Sequence, residues 1–133
     1  MTRQEAIRHN AMEAALMAHG VTPADVATLR RVSMTLHRWH ELECGTYGGC
    51  VERDEATGKT YWLNAMTGRR TPTPDRETGA LRRLAAAMAR YPHLTSYVQG
   101  DPRGCALFIL RPGDVPAGAD PDAHYSRGVA VTA

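Results

Sequence analysis

Apolar positions recur along this chain as three helical stripes separated by shorter runs with no helical period. Ala6, Ile7, Ala11, Ala14, Ala15 and Ala18 follow a Thr2–Glu5 capping box, and Gly20 is placed to end that first helix. A second helix opens with Thr22 as cap, Pro23 at the first helical position and Asp25 in the first turn. Its stripe is Val26, Leu29, Val32, Leu36 and Trp39, and Gly45 supplies the stop. From Gly45 to Thr73 the period is lost. Cys50-Val51-Glu52-Arg53 and Lys59-Thr60-Tyr61-Trp62-Leu63-Asn64 predict a hairpin, and a turn at Ala65-Met66-Thr67-Gly68 adds a short third strand near Arg69-Arg70-Thr71. Thr73-Pro74-Asp75 caps a third helix whose stripe is Leu81, Leu84, Ala85 and Met88, and Tyr91-Pro92 ends it.

The last third of the chain centres on Asp101-Pro102-Arg103-Gly104, which carries type I turn preferences between two runs of strand formers. With Gly104 left-handed, this becomes a three-residue loop with a bulge. Pairing Asp101 with Cys105 would place Tyr97, Gln99, Leu107 and Ile109 on one face, with Val98, Ala106, Phe108 and Leu110 on the other. Residues 111–126 form a long connection, and Arg127 to Thr132 predicts a final strand beside the hairpin. The expected fold is α+β: three helices packed on a small, mainly antiparallel sheet, as one domain over residues 1–133. Residues 46–73 form an inserted hairpin segment between helices two and three.

Composition sharpens this picture in two places. No run of eighteen or more apolar residues exists, so no membrane span is expected. The start lacks the basic and apolar pattern of a signal peptide, and three cysteines are an odd number. Reduced thiols in the cytoplasm are the corresponding expectation. Net charge is +2, yet residues 69–111 carry eight arginines against three acids. Arg69, Arg70, Arg76, Arg82, Arg83 and Arg90 gather in and before the third helix, a positive band suited to DNA, RNA or another polyanion. The first two helices admit a helix-turn-helix reading, but the first is Ala-rich and no compact third helix follows. A Tyr97 face, if open, would offer a stacking platform for single strands.

Two other clusters carry candidate chemistry. His37, His40 and Cys44 fall on one helix face, with Cys50 six residues beyond, a set of nitrogen and sulfur donors that would suit zinc. Against it stand the apolar neighbours Leu36 and Trp39 and the lack of a close-set cysteine pair. At the hairpin tip, Asp101 and Arg103 with His93 and His124 are the polar groups that acid–base chemistry would require. The plainer role of Asp101 is to support its own turn.

Within the meander, Glu52-Arg53-Asp54, Gly58, Tyr61-Trp62, Asn64 and Thr67 resemble a WW module over about twenty-five residues. Cys50-Val51 stands where such modules carry their first tryptophan, and Thr71-Pro72-Thr73-Pro74 lacks the second, which forms the proline-binding groove. A structural meander is therefore expected. More of the chain resembles a family of small phage and prophage proteins of proteobacteria. The match runs through Thr35-Leu36-His37-Arg38-Trp39-His40-Glu41-Leu42-Glu43-Cys44-Gly45, Tyr97-Val98-Gln99-Gly100 to Leu110, Arg111-Pro112-Gly113-Asp114-Val115-Pro116, and Tyr125-Ser126-Arg127-Gly128-Val129-Ala130-Val131. The resemblance implies a mobile-element accessory protein working inside a bacterial cell, and it carries over no catalytic residues. With the small size and the absence of a catalytic motif, it leads to a non-enzymatic inhibitor of a host defence nucleoprotein complex, of the anti-CRISPR kind. Its partner would be a host protein or nucleoprotein complex, bound through the six arginines with Asp101 and Arg103. The alternatives are a nucleic-acid-binding protein using the arginine surface, and a small metal-dependent or nuclease-like enzyme.

Overall fold

The computed structural model describes residue 3 and residues 13–45, 47–101 and 104–114. Helix α1, described over residues 13–18, ends in a left-handed glycine cap. Gly20 has φ +89°, its amide donates to the Met17 carbonyl, and the Val21 amide donates back to the Leu16 carbonyl at 3.1 Å. This is the Schellman pattern, and its usual apolar contact is present because Leu16 and Val21 are both buried in the same core. Helix α2, Pro23–Glu43, starts as its sequence dictates. The Thr22 hydroxyl accepts from the Asp25 amide at 3.2 Å, and the helix gives way to Gly45 at φ +76°. Helix α3, Arg76–Met88, is capped by Asp75, whose carboxylate accepts from the Thr78 amide at 3.1 Å.

The helices pack together, and the strands form two antiparallel units. Strands β1 (Gly49–Arg53), β2 (Thr60–Asn64) and β3 (Arg70–Pro72) make the meander expected between α2 and α3. Its two turns are built alike. Asp54 Oδ1 accepts from the Ala56 and Thr57 amides and Asn64 Oδ1 from those of Met66 and Thr67, while Gly58 and Gly68 supply φ of +73° and +70°. In each, the glycine amide returns to the carbonyl of the Asx residue, at 2.7 and 2.8 Å. An Asx-x-x-Thr-Gly-basic segment thus occurs twice and folds the same way both times. Gly49 is required by close approach: a Cβ there would lie 2.3 Å from the Leu63 carbonyl oxygen and 2.8 Å from Trp62 Cζ2.

The meander is tied to the start of α3. The Thr60 hydroxyl donates to the Thr73 carbonyl at 2.6 Å, and the Thr73 amide returns to the Thr60 carbonyl. Arg53 reaches the Asp75 carboxylate at 2.6 Å and stands 3.6 Å from Glu77. Beside this ion pair, Asp75 is held far below the usual carboxylate range by Arg53 and by its own cap bonds to Thr78.

The core joins α1, α2, α3 and the second strand pair. Val26, Leu29, Val32 and Leu36 meet Ala80, Leu84, Ala87, Tyr91 and Ile109. Every residue of the α2 stripe read from the sequence is buried, Trp39 included. The α3 stripe differs. Leu81 and Met88 are half-buried at its edge and Ala85 is exposed, while Ala80, Leu84 and Ala87 face α2. Small side chains let the helix backbones come close, so the alanines mark the interface and the longer side chains flank it.

Strands β4 (Thr95–Asp101) and β5 (Gly104–Leu110) form the expected hairpin in a different register. Asp101 pairs with Gly104, which leaves a two-residue connection in place of a bulged three-residue loop. The register is shifted by one residue, so Tyr97 pairs with Phe108 and Val98 with Leu107 in place of the expected partners. Ile109, opposite Ser96, is buried in the core. The capping box at residues 2 and 5, the turn residues Pro102 and Arg103, His124 and the expected final strand lie outside the described residues.

A candidate binding groove between helices α2 and α3

Two of the six arginines of the expected band, Arg70 and Arg90, are held by carboxylates of the fold. Arg90, just past α3, crosses to the N-terminus of α2. Its Nε donates to Asp25 Oδ2 at 3.1 Å and a terminal nitrogen pairs with Oδ1. The Tyr91 hydroxyl also donates to Asp25 and accepts from the Thr22 amide at 3.1 Å. Asp25 is buried, and Arg90 and Tyr91 lower its pKa from 3.8 to about 2. That guanidinium is committed to the fold. Arg70 on β3 is likewise engaged, by Glu52 at 2.8 Å and by the Tyr61 ring, whose centroid is 5.6 Å away. Arg69 precedes β3 and Arg76 opens α3, both exposed. Arg82 and Arg83 are exposed neighbours on α3, about 100° apart around the helix axis, and so serve different faces.

Arg83 stands opposite the middle of α2. It lies back over Gly79, its Nη1 3.6 Å from where a Cβ there would sit. Across from it stand Arg31, Met34, Thr35 and Arg38, at the i, i+3, i+4, i+7 spacing of a single helix face. Together these five residues line an open groove of about 450 Å³. Among the described residues, Arg31, Arg38 and Arg83 make no salt bridge, whereas Arg30 next door is paired with Glu13. Met34 stands 47% exposed in the groove. Arg31 and Arg38 were not singled out in the sequence. Their signal was there, a second stripe on the polar side of α2, but nothing local says that α3 contributes a third arginine opposite.

A second depression of about 400 Å³ shares Arg38 with this groove and is lined also by His37, Glu41, Leu42 and Tyr47. Glu41 joins two of these. Its Oε1 lies 2.6 Å from His37 Nε2, and its Oε2 accepts from the Tyr47 hydroxyl at 2.5 Å. The Tyr47 hydrogen bond first, then the nearby His37 and Arg38 side chains, outweigh burial and hold Glu41 below the usual carboxylate range. The Tyr47 hydroxyl is pushed up in return by the carboxylate it serves.

The zinc set is not assembled. His40 is buried with Nε2 3.4 Å from Cys44 Sγ, but His37 turns to Glu41, and Cys50 sits half-buried on β1. Among the described residues, no three His, Cys, Asp or Glu side chains gather as a metal site requires. At the hairpin tip, Asp101 is described through its backbone pairing and Arg103 lies outside the described residues. His93 is exposed at the other end of β4, its Nε2 2.8 Å from the His19 carbonyl oxygen. No helix among the described residues is long and apolar enough to cross a membrane.

Comparison with protein-family models, curated proteins and solved structures found no match. The groove's own chemistry therefore carries the functional reading.

Proposed function

We propose that the protein acts by binding, as a phage or prophage accessory protein that engages a host defence nucleoprotein complex through the α2/α3 groove. The observation that carries this reading is the convergence of Arg31, Arg38 and Arg83 on one groove, with no salt bridge among the described residues. Exposed guanidiniums carried by two packed helices offer planar, multiply donating contacts to carboxylates and phosphates. The net charge of +2 disfavours mimicry of DNA, so the groove supplies positive charge to an acidic or phosphate-bearing surface. The resemblance to phage proteins supplies the cellular setting.

The test is capture of tagged protein from a bacterial lysate containing such a complex, with and without nuclease, comparing wild type with Arg31→Glu/Arg38→Glu/Arg83→Glu. The complex should co-purify with wild type and be lost with the variant. Retention by a folded variant would remove the groove from the proposal. Direct binding to nucleic acid draws on the same three side chains. It predicts capture that nuclease abolishes and that weakens steeply with salt.

A further inference from the structure

Resting on that reading, the geometry points to a definite component of the complex: we infer that the groove receives an acidic amphipathic helix of the protein partner, with an apolar residue set between its carboxylates. Along α2 the exposed strip alternates in character. Arg31 is followed by Met34, then Arg38, then the Glu41 carboxylate with Leu42 and Tyr47. A nucleic-acid backbone has no such alternation, since its phosphates repeat at every nucleotide, about one charge per 1.7 Å of duplex axis. A strand running along the groove and on past Arg38 would meet the Glu41 carboxylate, held there by the Tyr47 hydroxyl and His37. A protein segment can omit charge at that point.

Spacing supports the same occupant. Arg31 and Arg38 are two helical turns apart, about 10 Å along the axis. Glu or Asp residues seven apart on a partner helix repeat at the same distance and lie on one face. Each carboxylate accepts two guanidinium N–H bonds, and Arg83 closes the groove from the α3 side. Met34, exposed between the arginines, is an unbranched and adaptable surface for an apolar anchor three or four residues from a partner carboxylate. Phosphates have no use for that contact.

The probe is a synthetic helical peptide of about four turns with glutamates seven apart and a leucine between them. It is compared with its Leu-to-Ser version and with single-stranded and duplex oligonucleotides of equal charge. Binding to the full chain is read by fluorescence anisotropy at one salt concentration. The leucine peptide should bind at least about tenfold more tightly than either oligonucleotide. Replacing its leucine, or making Met34→Ser in the protein, should weaken binding about fivefold, as expected for losing one partly buried apolar contact. Arg31→Glu/Arg38→Glu should abolish binding while circular dichroism and Tm stay unchanged. An oligonucleotide that binds as tightly as the peptide, or peptide affinity indifferent to Met34→Ser, overturns the acidic-helix assignment and leaves the arginine groove standing as a binding site. Failure of every probe, with capture from lysate also negative, overturns both.

Discussion

At the scale of single residues, Asp25 shows how one side chain decides where α2 and α3 meet. Its carboxylate accepts from Arg90 and Tyr91, residues that follow the end of α3, and Tyr91 also takes the Thr22 amide. Tyr91→Phe leaves the carboxylate and that amide each short of a partner, and should cost about 1–2 kcal/mol in a denaturant titration. The pH dependence has a definite sign. Because folding lowers the Asp25 pKa from 3.8 to about 2, its stabilisation is fully present above the ordinary value and is lost as pH falls through that interval. Asp75, also depressed, acts in the same direction. Urea midpoints measured from neutral pH down to about 2 should therefore fall less steeply in Asp25→Asn than in wild type. Parallel curves would mean that the ion pair is not formed in solution.

At the scale of elements, the meander rests on one turn used twice. Gly58 and Gly68 hold nearly the same positive φ with open space around them, so backbone strain alone sets the effect of an added methyl. Gly58→Ala and Gly68→Ala should each lower stability by roughly 1 kcal/mol and by similar amounts. Gly49→Ala has a different origin, since its Cβ would press on the Leu63 carbonyl and the Trp62 ring, and a loss of about 1–3 kcal/mol is expected. Thermal melts of the three variants check the ranking. The α3 interface carries the same lesson in reverse: Ala80 and Ala87 matter by being small enough to let α2 approach.

At the scale of the whole molecule, the arginines divide into those that hold the fold and those that face outward from it. Arg53 and Arg90 join segments far apart in the chain. Arg31, Arg38 and Arg83 line the groove without salt bridges among the described residues. Charge reversal should therefore separate the two groups. Arg31→Glu, Arg38→Glu and Arg83→Glu should each shift stability by no more than about 0.5 kcal/mol, because the side chains are exposed and make no salt bridge among the described residues. Arg90→Glu should lower Tm clearly, since it removes the partner of a buried carboxylate and sets a second negative charge beside it. For binding the order inverts: the three groove variants weaken partner capture, and added salt weakens it further by screening.

What the sequence by itself determined is what short-range chemistry can specify. The cap and stop of α2 at Thr22 and Gly45, the end of α1 at Gly20, the Asp75 cap and the two turns of the meander all follow from groups within about five residues of one another, and all appear where the pattern puts them. The strong apolar stripe of α2 likewise set its buried face. Only the tertiary structure decided the rest. Along α3, alanines and leucines both read as apolar, and close contact with α2 chose Ala80 and Ala87 over Ala85. In the hairpin, the strand pattern tolerates two registers equally, and the folded chain pairs Asp101 with Gly104. The groove needed both helices: Arg38 and Arg83 lie forty-five positions apart in the sequence, and no local rule brings them together. Arg90 was read from the sequence as part of a charged surface, and became the partner of Asp25 because packing α3 on α2 buried a carboxylate that requires a cation.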